Sequence, residues 1–231
     1  MPLTSSPTEL TTSTTDALLA IECAIIIAAL QRTAPTNRWR TNLWSWAFTL
    51  LAIASLLGAL AHGLEMPKPM RTALWTPLYL SLGILILQFI VGAVADWRGR
   101  DAAKRLVPWG IATSAAFLGL TALLGGKFIV FIAYATMVLL STLAIYTFLA
   151  VTHRLKGAAV IALAILLNLI GAGVQASTLS IHLLFPFDHN GLFHLGQMVS
   201  TALLGLGLHL GMGSAPREEF GTSPIFPQSS S

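Results

Sequence analysis

The sequence predicts an all-α membrane protein, a bundle of seven transmembrane helices, and three observations carry that prediction. Hydrophobic residues make up 55% of the 231 and charged residues only 10%, well under half the charged share of an average soluble domain. Mean hydropathy is +0.76. Seven apolar runs are each long enough to cross a bilayer, which takes about 20 residues per helix, and the basic residues gather in short clusters beside these runs.

In chain order, residues 1–15 are rich in Ser, Thr and Pro and carry no Lys or Arg, so they lack the basic start of a secretory signal. Residues 1–13 therefore read as an uncleaved, disordered tail. The runs lie at 14–33, 42–64, 72–95, 107–125, 128–151, 157–184 and 190–212, and together they define a transmembrane domain over 14–212. Turn formers punctuate the connections, as in Glu65-Met-Pro-Lys-Pro, Gly125-Gly126 and Phe185-Pro186-Phe187. Residues 213–231 read as a second disordered tail.

The basic residues also predict an orientation, because loops rich in Lys and Arg stay on the cytoplasmic side. Arg32, Arg38 and Arg40 follow the first run, Arg98, Arg100, Lys104 and Arg105 the third, Arg154 and Lys156 the fifth, and Arg217 the last. The other side collects only Lys68, Arg71 and Lys127, so ten of the 13 fall on one side. The N-terminus is expected outside and the C-terminus in the cytoplasm, in a plasma or bacterial inner membrane. Clusters that serve orientation also exclude nucleic acid as a partner, despite a net charge of +4. A lone cysteine, Cys23, permits no intrachain disulfide and reads as a small buried hydrophobe.

Ionisable side chains inside a membrane are costly, so each one marks a candidate site. Asp16, Glu22, His62, Glu65, His182, Asp188, His189, Asn190 and His194 all fall near the outer ends of runs 1, 2, 6 and 7. At 100° per residue, Asn190, His194, Gln197 and Thr201 form one stripe, Asn168, Gly171, Gln175, Thr178 and His182 a second, and Ser55, Gly58 and His62 a third. Such stripes face the bundle interior, where Ser, Thr and Gln also tie helices together. His62 and His194 stand at one depth, and imidazole is the commonest metal ligand. A catalytic zinc takes three protein ligands, which here draws the third from Asp188, His189 or Asn190, with the neutral amide of Asn190 the poorest donor.

The segments SLLGALAHGL at 55–64 and FDHNGLFHLGQM at 187–198 resemble the seven-span superfamily of alkaline ceramidases and adiponectin- and progestin-type receptors. The resemblance implies zinc held by a His near the end of span 2 and an HxxxH on span 7, with an Asp on span 3 and a Ser one turn before the first His. His62 matches the span 2 His, His194 the second His of the span 7 pair, and Asp188 the Asp that precedes it in some members. Asn190 stands in place of the first span 7 His, Gly58 in place of the Ser, and no acid occurs from Thr72 to Ala95.

The function expected from these residues is a metal-dependent membrane hydrolase of a lipid amide or ester with a divergent site. Zinc is held by His62 and His194 with Asp188 or His189, and Glu22 or Asp16 acts as base. Asn190, Gln197, Ser55, Gln175 and His182 support it, and a membrane lipid brings its acyl chain into the apolar interior. The alternative is a non-catalytic, receptor-like or lipid-binding protein on the same scaffold. A lesser alternative is electron transfer through haem, paired by His62 with His194 and by His153 with His209.

Overall fold

The computed structural model describes residues 1–33 and 38–212. Seven helices run α1 Pro7–Thr33, α2 Arg38–Gly63, α3 Lys68–Arg98, α4 Arg100–Leu123, α5 Ile129–Val151, α6 Ala158–Gln175 and α7 His189–Met212. All seven are long and apolar enough to cross a membrane, as an integral multi-pass protein requires. A two-stranded antiparallel hairpin, β1 Ile181–His182 and β2 Pro186–Phe187, joins α6 to α7.

The helices make a ring rather than a stack. α1 packs on α2 and α7, α2 on α3, α3 on α5, α5 on α6 and α6 on α7, which closes six helices around a common interior. α4 stays outside, against α3 with a lesser contact on α5. Its buried side chains are few, chiefly Ala103, Ser114, Phe117 and Thr121, and residues such as Trp109 and Leu123 face outward as lipid-exposed positions do. The α6–α7 crossing is close because Gly157, with φ of 80°, lies against the Gly207 carbonyl where a Cβ would collide.

Two ends of helices depart from the sequence expectation. Residues 1–13, expected as a disordered tail, are ordered, and α1 begins at Pro7. Ser6 caps it, its Oγ accepting from the Glu9 amide at 3.4 Å, with Pro7 at the first helical position. The threonines that follow satisfy their hydroxyls within the helix: Thr14 donates to the Leu10 carbonyl at 2.8 Å and Thr15 to that of Thr11 at 3.0 Å. A Thr-rich stretch in an apolar setting gains from such bonds, so low hydropathy does not prevent the helix. Residues 2–5 then pair with the end of α2, with Thr4 N–H donating to the Gly63 carbonyl at 2.9 Å and Glu65 N–H to that of Pro2 at 3.0 Å.

Conversely, the run at 157–184 is not one helix. α6 stops at Gln175, where Ser177 Oγ donates to the Val174 carbonyl at 2.7 Å and accepts from the Leu179 amide at 3.1 Å. That side chain offers the backbone an alternative to the helix ladder, and the apolar residues beyond it form the hairpin. The C-terminal tail at 213–231 lies outside the described residues.

At the end of the bundle away from the hairpin, a buried ion pair joins three helices. Arg40 on α2 donates from Nε to Asp96 Oδ1 at 2.6 Å and from Nη2 to Oδ2 at 2.8 Å, and Tyr146 on α5 donates to the same Oδ2 at 2.9 Å. Arg40 is thus a packed residue inside a helix rather than a loop charge. Asp96 is the acid that α3 does contain, one residue past the predicted span.

Candidate functional site

An interior cavity of about 130 Å³ lies within the helix ring and is lined by side chains from all six ring helices. Its walls are mostly apolar, with Phe48 and Leu51 from α2, Leu82 and Phe89 from α3, and Phe131 and Leu139 from α5 among them. Its polar groups gather toward the hairpin end. There stand Asp16 from α1, Ser55, Gly58 and His62 from α2, Asn168 and Gln175 from α6, and His194, Gln197 and Thr201 from α7.

The three stripes read from the sequence therefore meet, except where α6 ends early. Ser55, Gly58 and His62 line one wall, and His194, Gln197 and Thr201 line another. His182 belongs to no helix: it sits exposed on β1 with Nδ1 3.2 Å from the Leu183 carbonyl, away from the cavity, and Thr178 lies in the loop before it. Asn190 is one step back from the cavity, its Oδ1 accepting from Gln175 Nε2 at 2.5 Å, a bond that ties α7 to α6. Asn168 donates similarly to Ser200 Oγ.

At the centre is an acid and imidazole pair. Asp16 Oδ1 lies 3.6 Å from His194 Nε2, with the side chains only 6% and 13% exposed. The other ring nitrogen, Nδ1, is 3.4 Å from Thr15 Oγ1. Because that hydroxyl already donates to the backbone of α1, Nδ1–H is the donor in this contact and Nε2 is left facing the acid. Asp16 is held close to α2 by the absence of a side chain at Gly58. A Cβ there would stand 2.6 Å from Asp16 Oδ2, so the carboxylate fills the space a larger residue would take.

His62, one helical turn beyond Gly58, is held from the other side. Its Nδ1 lies 2.6 Å from Glu9 Oε2, and its ring meets Trp75 edge to face at 5.8 Å between centroids. Glu9 falls within the segment expected to be a tail and was not among the candidate residues. The signal for it is the Ser6-Pro7-Thr8-Glu9 run, a helix-start pattern of Ser followed three residues later by Glu.

Two of the expected ligands are not at the centre. Asp188 caps α7, its Oδ1 accepting from the amides of Asn190 and Gly191 at 3.0 Å each and from Thr12 Oγ1 at 3.3 Å. His189 opens α7 and does not line the cavity. Glu22, expected as a base, also lies off the cavity, and its buried Oε2 has no hydrogen-bond partner among the described residues. Among the described residues, no three His, Cys, Asp or Glu side chains are drawn together closely enough to hold a metal ion. Asp16, His62 and His194 line the same cavity, with Asp16 and His194 in contact.

Architecture and site together define a seven-helix bundle with a mostly apolar interior cavity whose polar end holds one acid, Asp16, and two imidazoles, His62 and His194. The chain belongs to the family of unknown function DUF6962, which matches residues 11–212, from the second turn of α1 to the end of α7. Comparison with curated proteins and comparison with solved structures gave no match.

Proposed function

We propose that this protein is a metal-dependent membrane hydrolase of a lipid amide or ester, a divergent relative of the seven-span alkaline ceramidases and adiponectin- and progestin-type receptors. The observation that carries the reading is the continuity of one cavity from an apolar interior to Asp16, His62 and His194. An acyl chain suits the apolar part, and its amide or ester carbonyl then lies at the polar end.

Zinc is the ion the resemblance implies, and in residue type Asp16, His62 and His194 suit it once Asp16 takes the place of Asp188 and His189; binding requires the three to close together, since among the described residues no three such side chains stand near enough to hold an ion. Two imidazoles and one carboxylate suit zinc with a fourth position open. The 3.6 Å between His194 Nε2 and Asp16 Oδ1 is close to the roughly 3.3 Å that separates two donors of one tetrahedral zinc. When bound there, zinc would polarise the carbonyl and lower the pKa of a coordinated water. His62 and His194 would hold the ion and Asp16 would complete the set. The hydroxyls of Ser55 and Thr201 and the amides of Asn168 and Gln197 supply hydrogen bonds that orient the head of the lipid. The surrounding apolar wall keeps bulk water out.

By the positive-inside rule, the nine-to-three split of Lys and Arg that is left when buried Arg40 is set aside supports a site at the extracytoplasmic face of a plasma or bacterial inner membrane, with the C-terminus in the cytoplasm. The test is to purify the chain from native membranes and offer it N-acyl amides and monoacyl esters in mixed micelles with zinc. Hydrolysis by the wild type, lost in Asp16→Asn, His62→Ala and His194→Ala, supports the reading.

A second reading, a non-catalytic lipid-binding or receptor-like protein, is favoured by one observation. Glu9 already accepts from His62 Nδ1 at 2.6 Å, so this imidazole has an acid partner without an ion. Retention of an acyl lipid by a wild type that binds no zinc and hydrolyses nothing would select this reading.

A further inference from the structure

We propose that Glu9 is a positioning residue: carried by an N-terminal strap that links the end of α2 to the hairpin and the start of α7, it fixes the tautomer and direction of the His62 ring. The inference deepens the reading of the same site, and depends on that reading only for its consequence in zinc binding.

The strap is residues 2–13. It is sewn to the end of α2 by the Thr4 amide on the Gly63 carbonyl and the Glu65 amide on the Pro2 carbonyl, with the Ser5 amide 3.3 Å from Glu65 Oε1. One turn into α1, Ser13 Oγ donates to the Ala59 carbonyl at 2.8 Å. On its other side, Thr11 Oγ1 donates to the Pro186 carbonyl of the hairpin at 2.8 Å, and Thr12 Oγ1 to Asp188 at 3.3 Å. These bonds run from α2 to the start of α7. On the strap so held, the Glu9 carboxylate meets His62 Nδ1 at 2.6 Å instead of folding back on the Ser6 amide as a capping-box Glu does.

The chemistry of that contact is one-directional. An ionised carboxylate only accepts, so Nδ1 carries the proton and, in the neutral ring, Nε2 keeps its lone pair. Trp75 bounds the ring from the side, and His62 lines the cavity. A His whose second nitrogen is held by a carboxylate is the usual arrangement behind a metal ligand, because it fixes the tautomer and makes the free nitrogen more basic. Glu9 is 40% exposed against 17% for His62, so the acid sits on the solvent side of the imidazole and touches no substrate. Asp16, His62 and His194 lie inside the family match at 11–212 and Glu9 lies just outside it.

The experiment is nitrogen NMR of ¹⁵N-histidine-labelled full-length protein in micelles, with His62 assigned by its loss in His62→Asn. The wild type is expected to show His62 protonated at Nδ1 and bare at Nε2. Glu9→Ala is expected to lose that pattern and to weaken zinc binding about 10- to 100-fold by chelator competition. Glu9→Gln keeps an acceptor, so it should retain the tautomer while the Nδ1 proton resonance moves upfield, a readout that stands even if the alanine variant fails to fold. Glu65→Ala, which frees a strap contact without touching His62, should leave the ring unchanged. An unaltered His62 spectrum in both Glu9 variants, or an equal change in Glu65→Ala, overturns the inference. If the spectra follow Glu9 while the wild type neither binds zinc nor hydrolyses lipid, the positioning role stands and the hydrolase reading falls.

Discussion

Asp16 owes its place to what position 58 lacks. With the carboxylate oxygen 2.6 Å from where a Cβ would be, and α1 pinned to α2 by Ser13 on the Ala59 carbonyl, the acid has little room to retreat. Gly58→Ala should therefore cost about 1–3 kcal/mol, as overpacking does. Removing the obstructing carboxylate in Asp16→Ala should recover most of that cost in the double variant. Thermal melting of the four proteins in detergent measures the coupling, and strictly additive costs would show that the two residues do not share the space. The imidazoles make a second prediction. His62→Ala and His194→Ala should abolish zinc binding, whereas Asn190→Ala, which loses only the bond to Gln175, should leave most of it. Competition with a chelating dye ranks them, and a loss in Asn190→Ala equal to that in His194→Ala would return Asn190 to the ligand set.

The helices α2, α3 and α5 are joined where Arg40, Asp96 and Tyr146 meet. Breaking such a pair leaves one buried charge uncompensated, so Asp96→Ala should destabilise the bundle by about 3–5 kcal/mol. The triple change Arg40→Met, Asp96→Leu and Tyr146→Phe, which also removes the hydroxyl that donates to Asp96, should cost much less, since apolar residues of similar size replace a buried pair with little loss. Unfolding in mixed micelles reads both, and a cost for Asp96→Ala within about 0.5 kcal/mol would reduce the pair to an ordinary surface contact. This pair also marks where sequence reading runs out. Seven helices and the facing of His62 and His194 onto one interior cavity are legible because hydropathy and the 3.6-residue period report directly on which face is buried. Pairing of Arg40 with an acid 56 residues away is a tertiary fact with no local trace. The strap does not show in hydropathy because its Ser and Thr lower it, even though they bond within the helix. α6 is shorter than the apolar run because hydropathy continues to Leu184 while a single serine, Ser177, diverts the backbone. The place of Asp16 was illegible for a steric reason, since only the packed structure shows which acid fills the gap at Gly58.

For the molecule as a whole, six helices enclose a chamber and the seventh, α4, stands outside it. That arrangement allows an acyl chain to be held within the ring while α4 faces lipid. Orientation is a separate prediction, resting on the Lys and Arg split: a tag after Ser231 should be protected from external protease in sealed vesicles, and one before Thr4 should be cleaved. Both tags on one face would remove an odd number of spans and the extracytoplasmic placement with it. The central claim is that one interior site holds a zinc ion at Asp16, His62 and His194 and an acyl lipid in the cavity beside them. Native mass spectrometry of the chain extracted from its own membrane reads both at once. The expected spectrum carries one zinc and one acyl lipid per chain, with zinc missing from His62→Ala and lipid still present. A wild type that carries neither, and takes up no zinc when it is supplied, would contradict the account.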